Sequence, residues 1–182
     1  YNNAYGRSIH APSREYAAQL GVDLVAIEEF PPRTVDLNTE LLRLQKKGAQ
    51  YIFIQMLPST IITAFKSADR IKYNPLFLGT WTSTDPDFFR MGRGLIRDRL
   101  VMQFPGGLPS DKAKGMEVMK ELWKRYKTVK SFDASYWEGV VVGMIMERAF
   151  LRAWEKSKVI NPETVNAAME SMKNEDFGGL VP

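Results

Sequence analysis

The chain has 182 residues, of which 45% are hydrophobic, and this is enough for about one domain with a buried core. The 25 lysines and arginines exceed the 21 aspartates and glutamates, which gives a formal net charge of +4. The absence of cysteine excludes disulfide bonds, thiolate metal sites and cysteine nucleophiles. The most apolar stretch, 140–145, is far shorter than the roughly 20 residues that cross a bilayer, so no membrane-inserted segment is expected.

The first half of the chain alternates predicted helices and strands. The order is helix Gly6–Leu20, strand Val22–Phe30, helix Leu37–Lys47, strand Tyr51–Ile54, a helix from Pro58 to before Pro75, strand Leu76–Leu78, a helical turn Asp87–Met91 and strand Arg99–Gln103. Strands separated by helices of this length indicate βαβ units and a parallel sheet. The stretch 51–54 is apolar throughout, which predicts a strand buried on both faces.

Apolar spacing predicts which side of each helix faces the core. Ile9, Tyr16 and Leu20 share a face of the first helix, and Gly21 stands where a helix C-terminal glycine belongs. The remaining predicted inward positions are Leu37, Leu41 and Leu44 in the second helix, after a possible cap at Asp36, and Ile61, Ile62, Phe65 and Ala68 in the third.

Beyond Phe104 the pattern changes to helices with no strand. Helices are predicted over Met116–Tyr126 and Asp133–Trp154, and a third is capped by Asn161 with Pro162 at its first position. The apolar face predicted for the long helix comprises Trp137, Val140, Val141, Met144, Ile145 and Phe150. These faces have no sheet to cover, and 178–181 resembles the approach to a further strand.

The transition from alternating strands and helices to helices alone lies at Phe104, Pro105, Gly106 and Gly107, which we interpret as a chain crossing or hinge. The first helix should also follow a strand that ends just before Tyr1. The chain is therefore expected to be part of a larger two-lobed protein. In this interpretation 1–104 is one α/β lobe that lacks its first strand, and 105–182 is the crossing together with helices of the other lobe.

The predicted sheet places three groups of side chains at one edge. In open parallel sheets, ligands bind outside the carboxyl ends of the strands. The residues at these positions are Tyr5 after the inferred first strand, Gln55, Met56 and Leu57 after the strand 51–54, and Thr80, Trp81 and Thr82 after the strand 76–78. Aromatic walls with a few hydrogen-bonding groups are typical of a small-molecule site.

Each of these positions has a second interpretation. Tyr5 can instead staple the start of a helix, and Met56 and Leu57 can belong to the core. Trp81 is harder to place in the interior, because it lies between two threonines in a loop where a core strand has ended. We therefore favour a cleft position for Trp81.

The sequence does not support catalysis or a cofactor. His10 is the only histidine, no serine nucleophile elbow is present, and the glycines form no phosphate-binding loop. Metal-ligand spacing is absent as well. Four arginines cluster between Arg90 and Arg99, but no nucleic-acid recognition motif accompanies them, so we interpret them as a solvated loop.

An ordered set of segments resembles type I periplasmic solute-binding proteins, in the branch of Leu/Ile/Val-binding proteins that serve ABC importers. The segments are N-N-A-Y-G-R-S at 2–8, T-V-D-L-N-T-E-L-L-R-L-Q-K-K-G-A at 34–49, Y-I-F-I-Q at 51–55, F-L-G-T-W at 77–81 and D-A-S-Y-W-E-G-V at 133–140. The resemblance implies two Rossmann-like α/β lobes that close on a ligand, periplasmic or extracellular location, and a membrane permease as partner. It assigns 1–104 to the second lobe and the later helices to the first.

The resemblance also implies ligand contacts at Tyr5, at the segment 55–57 and at Trp81. Trp81 falls where amino-acid binders of the family carry an acidic residue that pairs with the ligand ammonium. An indole leaves only a cation–π contact, worth about 0.5–2 kcal/mol. The resemblance therefore implies an amino-acid-like, carboxylate or amide ligand. The alternatives are a sensor domain of the same fold in a receptor or regulator, or a flavodoxin-like enzyme, which the residues disfavour.

Overall fold

The computed structural model describes residues 1–81, 86–104, 106–107, 110–127 and 132–181, without the side chains of residues 86, 87 and 134. The chain divides into two compact units, Tyr1–Phe104 and Pro105–Pro182. The assignment of these units to the second and first lobes of a two-lobed protein stays a prediction.

Unit 1 is built on a parallel sheet, as the sequence predicts. Its strands are β1 (Tyr51–Ile54), β2 (Leu76–Gly79) and β3 (Leu100–Met102), in the order β1-β2-β3. Ile52 pairs with Phe77 and Ile54 with Gly79, so the three strands end at the same edge. The helices of unit 1 are α1 (Ala4–Arg7), α2 (His10–Leu20), α3 (Asn38–Lys46), α4 (Pro58–Arg70) and α5 (Pro86–Met91).

The core of unit 1 lies between the sheet and helices α3 and α4. Phe65, Phe77 and Phe88 are fully buried there, and the rings of Phe65 and Phe77 lie 4.7 Å apart. The inward faces predicted for α3 and α4 are confirmed, because Leu37, Leu41, Ile61, Ile62, Phe65 and Ala68 are all buried and Leu44 packs against them. Burial of each leucine, isoleucine or phenylalanine side chain contributes about 1.5–3 kcal/mol relative to leaving it in water.

The predicted helix Gly6–Leu20 is two helices rather than one. The side chain of Asn3 caps α1 by accepting the Gly6 N–H, and Ser8 ends the helix after one turn. The apolar face predicted for α2 was wrong, since Tyr16 and Leu20 are exposed. Gly21 takes the left-handed conformation that was predicted, with φ of 65°.

The predicted strand Val22–Phe30 was wrong in this structure. The segment is unpaired, and within residues 1–81, all of which the structure describes, 23–29 form no backbone hydrogen bond to another segment. The backbone of the segment is held at its two ends, where the Val22 N–H donates to the Ala17 carbonyl at 2.8 Å and the Phe30 carbonyl accepts the Asn2 N–H at 3.0 Å. A strand needs a neighbour at about 4.8 Å for its backbone groups, and here a groove separates this segment from β1.

The prediction that 51–54 is buried on both faces was also wrong. Ile52 and Ile54 are buried, whereas Tyr51 is 63% exposed and Phe53 is 49% exposed. Tyr51 and Phe53 lie on the face of β1 opposite Ile52 and Ile54, and both line the same groove. Which residues of the strand are buried therefore depends on whether the face that carries them is packed against other parts of the protein.

Unit 2 contains α6 (Lys114–Tyr126), α7 (Ala134–Ser157) and α8 (Pro162–Glu170), and no strand among the residues described there. The predicted cap of α8 is confirmed, because Asn161 and Thr164 form a reciprocal capping box with Pro162 in the first turn. The segment 178–181 is a turn, and the prediction that it leads to a further strand stays untested. It has two glycines with positive φ and the buried Leu180.

The buried stripe of α7 runs through Trp137, Val141, Ala149 and Ala153, which recur at multiples of four residues. Phe150, predicted to face inward, is exposed, since it stands one residue and hence about 100° from Ala149. At the other end of the unit, Glu175 accepts hydrogen bonds from Arg148 and Arg152.

The arginine cluster of the sequence is not a solvated loop throughout. Arg99 is buried, and its guanidinium donates to the Leu95 carbonyl, forms an ion pair of 2.6 Å with Asp69 and stacks over Phe65. Arg97 lies at the surface and faces the same carboxylate at 3.6 Å. Burial of a charge requires such partners, and they explain why Arg99 belongs to the fold rather than to an outer patch.

Candidate ligand-binding edge of the sheet

The candidate site lies at the carboxyl ends of β1 and β2. The register pairs Ile54 with Gly79, so Gln55 and Thr80 leave the sheet side by side. Gly79 also pairs with Met102, and its carbonyl accepts the Gln103 N–H at 3.1 Å. The parallel topology therefore brings together two of the three predicted groups at one edge, as expected from the sequence.

Tyr5 and Gln55 are brought together directly. The side-chain amide of Gln55 donates to the Tyr5 carbonyl at 2.8 Å and to the Ser8 hydroxyl at 3.1 Å. The Ser8 hydroxyl in turn donates to the Tyr5 carbonyl at 2.8 Å. Helix α1 is thereby fixed to the end of β1, with the half-exposed phenol of Tyr5 at the surface.

Met56 and Leu57 separate into two environments. Met56 is only 6% exposed and belongs to the core of unit 1, which agrees with the second interpretation given for it, and a ligand contact at Met56 stays a prediction. Leu57 is exposed and precedes α4, and its N–H donates to the hydroxyl of Tyr1 at 3.1 Å. That hydroxyl also lies 2.7 Å from the hydroxyl of Thr60.

Tyr1 is a positioning residue that sequence reasoning missed. It is buried, packs edge-on against Phe30, and connects the chain start to the amino end of α4. No pattern in the sequence could have indicated it, because its partners are about 30 and 60 residues away. The role of Tyr1 is apparent only from its contacts in the folded structure.

Trp81 follows β2 and Thr80 and is 42% exposed, in agreement with a position outside the core. Thr80 is half-buried. Thr82, the third predicted member of this group, lies outside the described residues. The described edge thus presents a phenol, a side-chain amide, a hydroxyl and an indole, none of which is charged at neutral pH.

Helix α1 also carries an ion pair. Arg7 makes a bidentate contact with Glu29, with donor–acceptor distances of 3.0 and 2.7 Å to its two carboxylate oxygens, and His10 lies 3.6 Å from the same carboxylate. The hydrogen bonds from Arg7 lower the pKa of Glu29 and raise the pKa of Arg7. This pair ties α1 to the segment that ends at Phe30.

The predicted hinge residues have mixed environments. Gly106 needs to be glycine, because a Cβ there would overlap the indole ring of Trp137. The N–H of Gly107 donates to the Leu180 carbonyl at 3.2 Å. Neither glycine has positive φ, Phe104 is half-buried, and Pro105 lies outside the described residues. A hinge role for the four residues stays a prediction.

The described part of the chain contains no group of three or more histidine or carboxylate side chains arranged to hold a metal ion. No described helix combines the length and hydropathy needed to cross a membrane.

A family model of periplasmic binding proteins matches residues 1–181. The chain belongs to the periplasmic binding protein family. This confirms the resemblance found in the sequence, and the parallel three-stranded sheet confirms the α/β fold class. A comparison with curated proteins found no match.

Solved structures of periplasmic binding proteins share the fold of this chain. A branched-chain amino acid ABC transporter from Thermus thermophilus with bound valine is 22% identical, with a TM-score of 0.83 over 100% of this chain and 48% of its own. A fatty acid ABC transporter substrate-binding protein from Thermomonospora curvata is 19% identical, with a TM-score of 0.82 over 100% of this chain and 46% of its own.

A leucine-binding protein from Thermotoga maritima is 15% identical, with a TM-score of 0.78 over 98% of this chain and 49% of its own. The chain therefore spans about half the length of these periplasmic binding proteins. At such identities the comparison shows the fold, and the ligand has to be argued from this chain's own residues.

Proposed function

We propose that this chain is the ligand-binding part of an extracytoplasmic substrate-binding protein that serves an ABC importer. Unit 1 provides one wall of the ligand site at the carboxyl edge of its sheet, and a second lobe closes over the ligand. The protein binds and releases its ligand without chemical change, and a membrane permease takes up the released solute. The observation that carries the proposal is the neutral, aromatic edge formed by Tyr5, Gln55, Thr80 and Trp81, on a fold used for solute binding.

The charge of this edge bears on the class of ligand. Removing an ammonium group from water is costly unless a carboxylate or a set of acceptors replaces its hydration. The described edge residues Tyr5, Gln55, Thr80 and Trp81 include no carboxylate. The carboxylate of Glu29, on the neighbouring segment, is already paired with Arg7. Unit 1 is therefore better suited to the neutral or aromatic part of a ligand than to its ammonium.

The three similar proteins have names that refer to valine, leucine and fatty acids, and all three compounds carry a carboxylate. A small carboxylate or amide is accordingly the ligand class that we propose, with an amino acid as a member if the second lobe supplies the charge pairing. Trp81 contacts the apolar part of the ligand, and Gln55, held by Tyr5 and Ser8, supports the wall beside it.

Nuclear magnetic resonance of the indole N–H groups tests this proposal even for weak binding. The chain has four tryptophans, so four indole signals can be followed during titration with leucine, an aromatic carboxylate, a short dicarboxylate and a primary amide. We expect at least one carboxylate or amide to shift the Trp81 signal and leave the Trp154 signal in place. Trp154 is the matched control, because it is 50% exposed in unit 2.

Substitution then separates contact from indirect effects. Trp81→Ala should abolish the ligand-induced changes in the signals of neighbouring residues, whereas Trp154→Ala should leave them intact. A panel that moves only the Trp154 signal, or none of the four at millimolar concentration, would contradict a ligand site at this edge.

A further inference from the structure

The side-chain amide of Gln55 is held in one orientation by the residues of α1 and its C-terminal cap. Its nitrogen donates to the Tyr5 carbonyl at 2.8 Å and to the Ser8 hydroxyl at 3.1 Å. A backbone carbonyl can only accept, and the single hydroxyl proton of Ser8 is already donated to the same carbonyl at 2.8 Å. Only the nitrogen end of the amide can therefore face α1, because the oxygen end would place two acceptors against each other.

The oxygen of the same amide is left for the ligand edge. The nitrogen and the oxygen of a planar amide lie on opposite sides of its carbon, so Gln55 Oε1 points away from α1. No group among the described residues donates a hydrogen bond to Oε1, and this oxygen reaches solvent although the residue is half-buried. Gln55 thus presents an acceptor, and no donor, at the carboxyl end of β1, where Thr80 leaves the neighbouring strand.

This acceptor determines which ligand groups fit beside Gln55. The Tyr5 carbonyl has no acceptor capacity left, because its two hydrogen bonds occupy both lone pairs. An N–H of the ligand can donate to Gln55 Oε1, whereas a carboxylate there would bring two acceptors together. An ammonium group also donates, but a single neutral oxygen does not replace the hydration that it loses. A neutral primary amide is therefore the ligand group that matches this position.

On the basis of the proposed function, we propose that Gln55 determines ligand specificity at this edge. Its Oε1 accepts a hydrogen bond from the ligand and selects a primary amide over a carboxylate of the same shape. Ser8 is a positioning residue, since it acts on the ligand through the amide of Gln55. A hydrogen bond between neutral groups changes a dissociation constant by up to about tenfold. Repulsion between Oε1 and a carboxylate acts in the same direction, so the expected preference is about tenfold.

Titration with benzamide and with benzoate, two compounds of the same shape, tests the selection by nuclear magnetic resonance. The signals to follow are the Trp81 indole N–H and the carbon-13 resonance of Gln55 Cδ, which reports hydrogen bonding at Oε1. We expect benzamide to bind about tenfold more tightly than benzoate and to be the compound that shifts Gln55 Cδ. Equal dissociation constants, or tighter binding of benzoate, would overturn the proposal while leaving the proposed function intact. If neither compound shifts Trp81, the proposed function itself is contradicted, and this proposal with it.

Substitution separates selection by Gln55 from its support of α1. Gln55→Met removes both ends of the amide, and Gln19→Met is the matched control near the far end of α2, where Gln19 donates to Glu15 at 3.3 Å. We expect the preference for benzamide to fall to about one in Gln55→Met and to stay about tenfold in Gln19→Met. Ser8→Ala, which removes one of the two anchors of the amide, should give an intermediate preference. The ratio of the two dissociation constants is unaffected by a general loss of affinity, so a preference that persists in Gln55→Met would overturn the proposal.

Discussion

Replacing Gly106 with alanine is expected to destabilise unit 2. A Cβ at this position would overlap three atoms of the Trp137 indole, which is buried in the core of the unit. The neighbouring Gly107 donates to the Leu180 carbonyl, so the segment cannot withdraw from the ring without losing that hydrogen bond. Overpacking of this kind costs about 1–3 kcal/mol.

Gly143→Ala is a matched control for the same chemical change. Gly143 lies within α7, and a Cβ there would have no other atom within 4 Å. Alanine is favoured over glycine inside a helix by about 1 kcal/mol, so this variant should be more stable than the original chain. The two alanine variants should therefore differ by about 2–4 kcal/mol, with opposite signs relative to the original protein.

Urea unfolding followed by tryptophan fluorescence measures both variants, and Trp137 reports on the affected contact. If Gly106→Ala unfolds at the same urea concentration as the original chain, the close packing of Gly106 on Trp137 is refuted. Backbone strain could not explain a loss of stability instead, because Gly106 has no positive φ that alanine would strain.

Three further predictions concern charge pairs and affinity. Arg7→Gln should return the lowered pKa of Glu29 to its ordinary range in a carbon-13 titration, and an unchanged pKa in the variant would contradict the role of Arg7. In the original chain Glu29 contributes stability at neutral pH, and this stability is lost as pH falls through the lowered pKa. Asp69→Asn should cost about 2–3 kcal/mol in urea unfolding, because it leaves the buried Arg99 guanidinium without its carboxylate; a loss below about 0.5 kcal/mol would place the pair among ordinary surface contacts. Calorimetry should give this chain alone dissociation constants weaker than micromolar for the carboxylate and amide panel, because unit 1 forms only one wall of the proposed site; micromolar or tighter binding would show that one wall is enough.

The inward faces of α3 and α4 and the parallel sheet were predictable because their signals are local. The spacing of Leu37, Leu41 and Leu44 reports which side of α3 faces the core, and the structure buries that side. The segment Val22–Phe30 has the composition of a strand, yet strand formation depends on a neighbouring backbone, which a single segment does not encode. The same reason explains Tyr51 and Phe53, whose burial depends on what covers β1.

The position of the candidate site was predictable from topology, whereas its internal contacts were not. Residues that follow parallel strands meet at one edge, and this placed Gln55 and Thr80 together before any coordinates. The hydrogen bond from Gln55 to the Tyr5 carbonyl joins residues 50 positions apart, and no spacing rule indicates it. The contact of Gly106 with Trp137 is equally remote, so the sequence indicated a chain crossing or hinge there and gave no sign of this close packing.

The candidate site depends on Tyr1. Its hydroxyl holds the start of α4, its ring packs on Phe30, and α1 with Tyr5 begins three residues later. These contacts fix the backbone that leads into α1, and thereby fix the Tyr5 carbonyl that accepts the hydrogen bond from Gln55. Order at Tyr1 should therefore favour ligand binding at the edge without touching the ligand, since a site that is already ordered loses less conformational entropy when it binds.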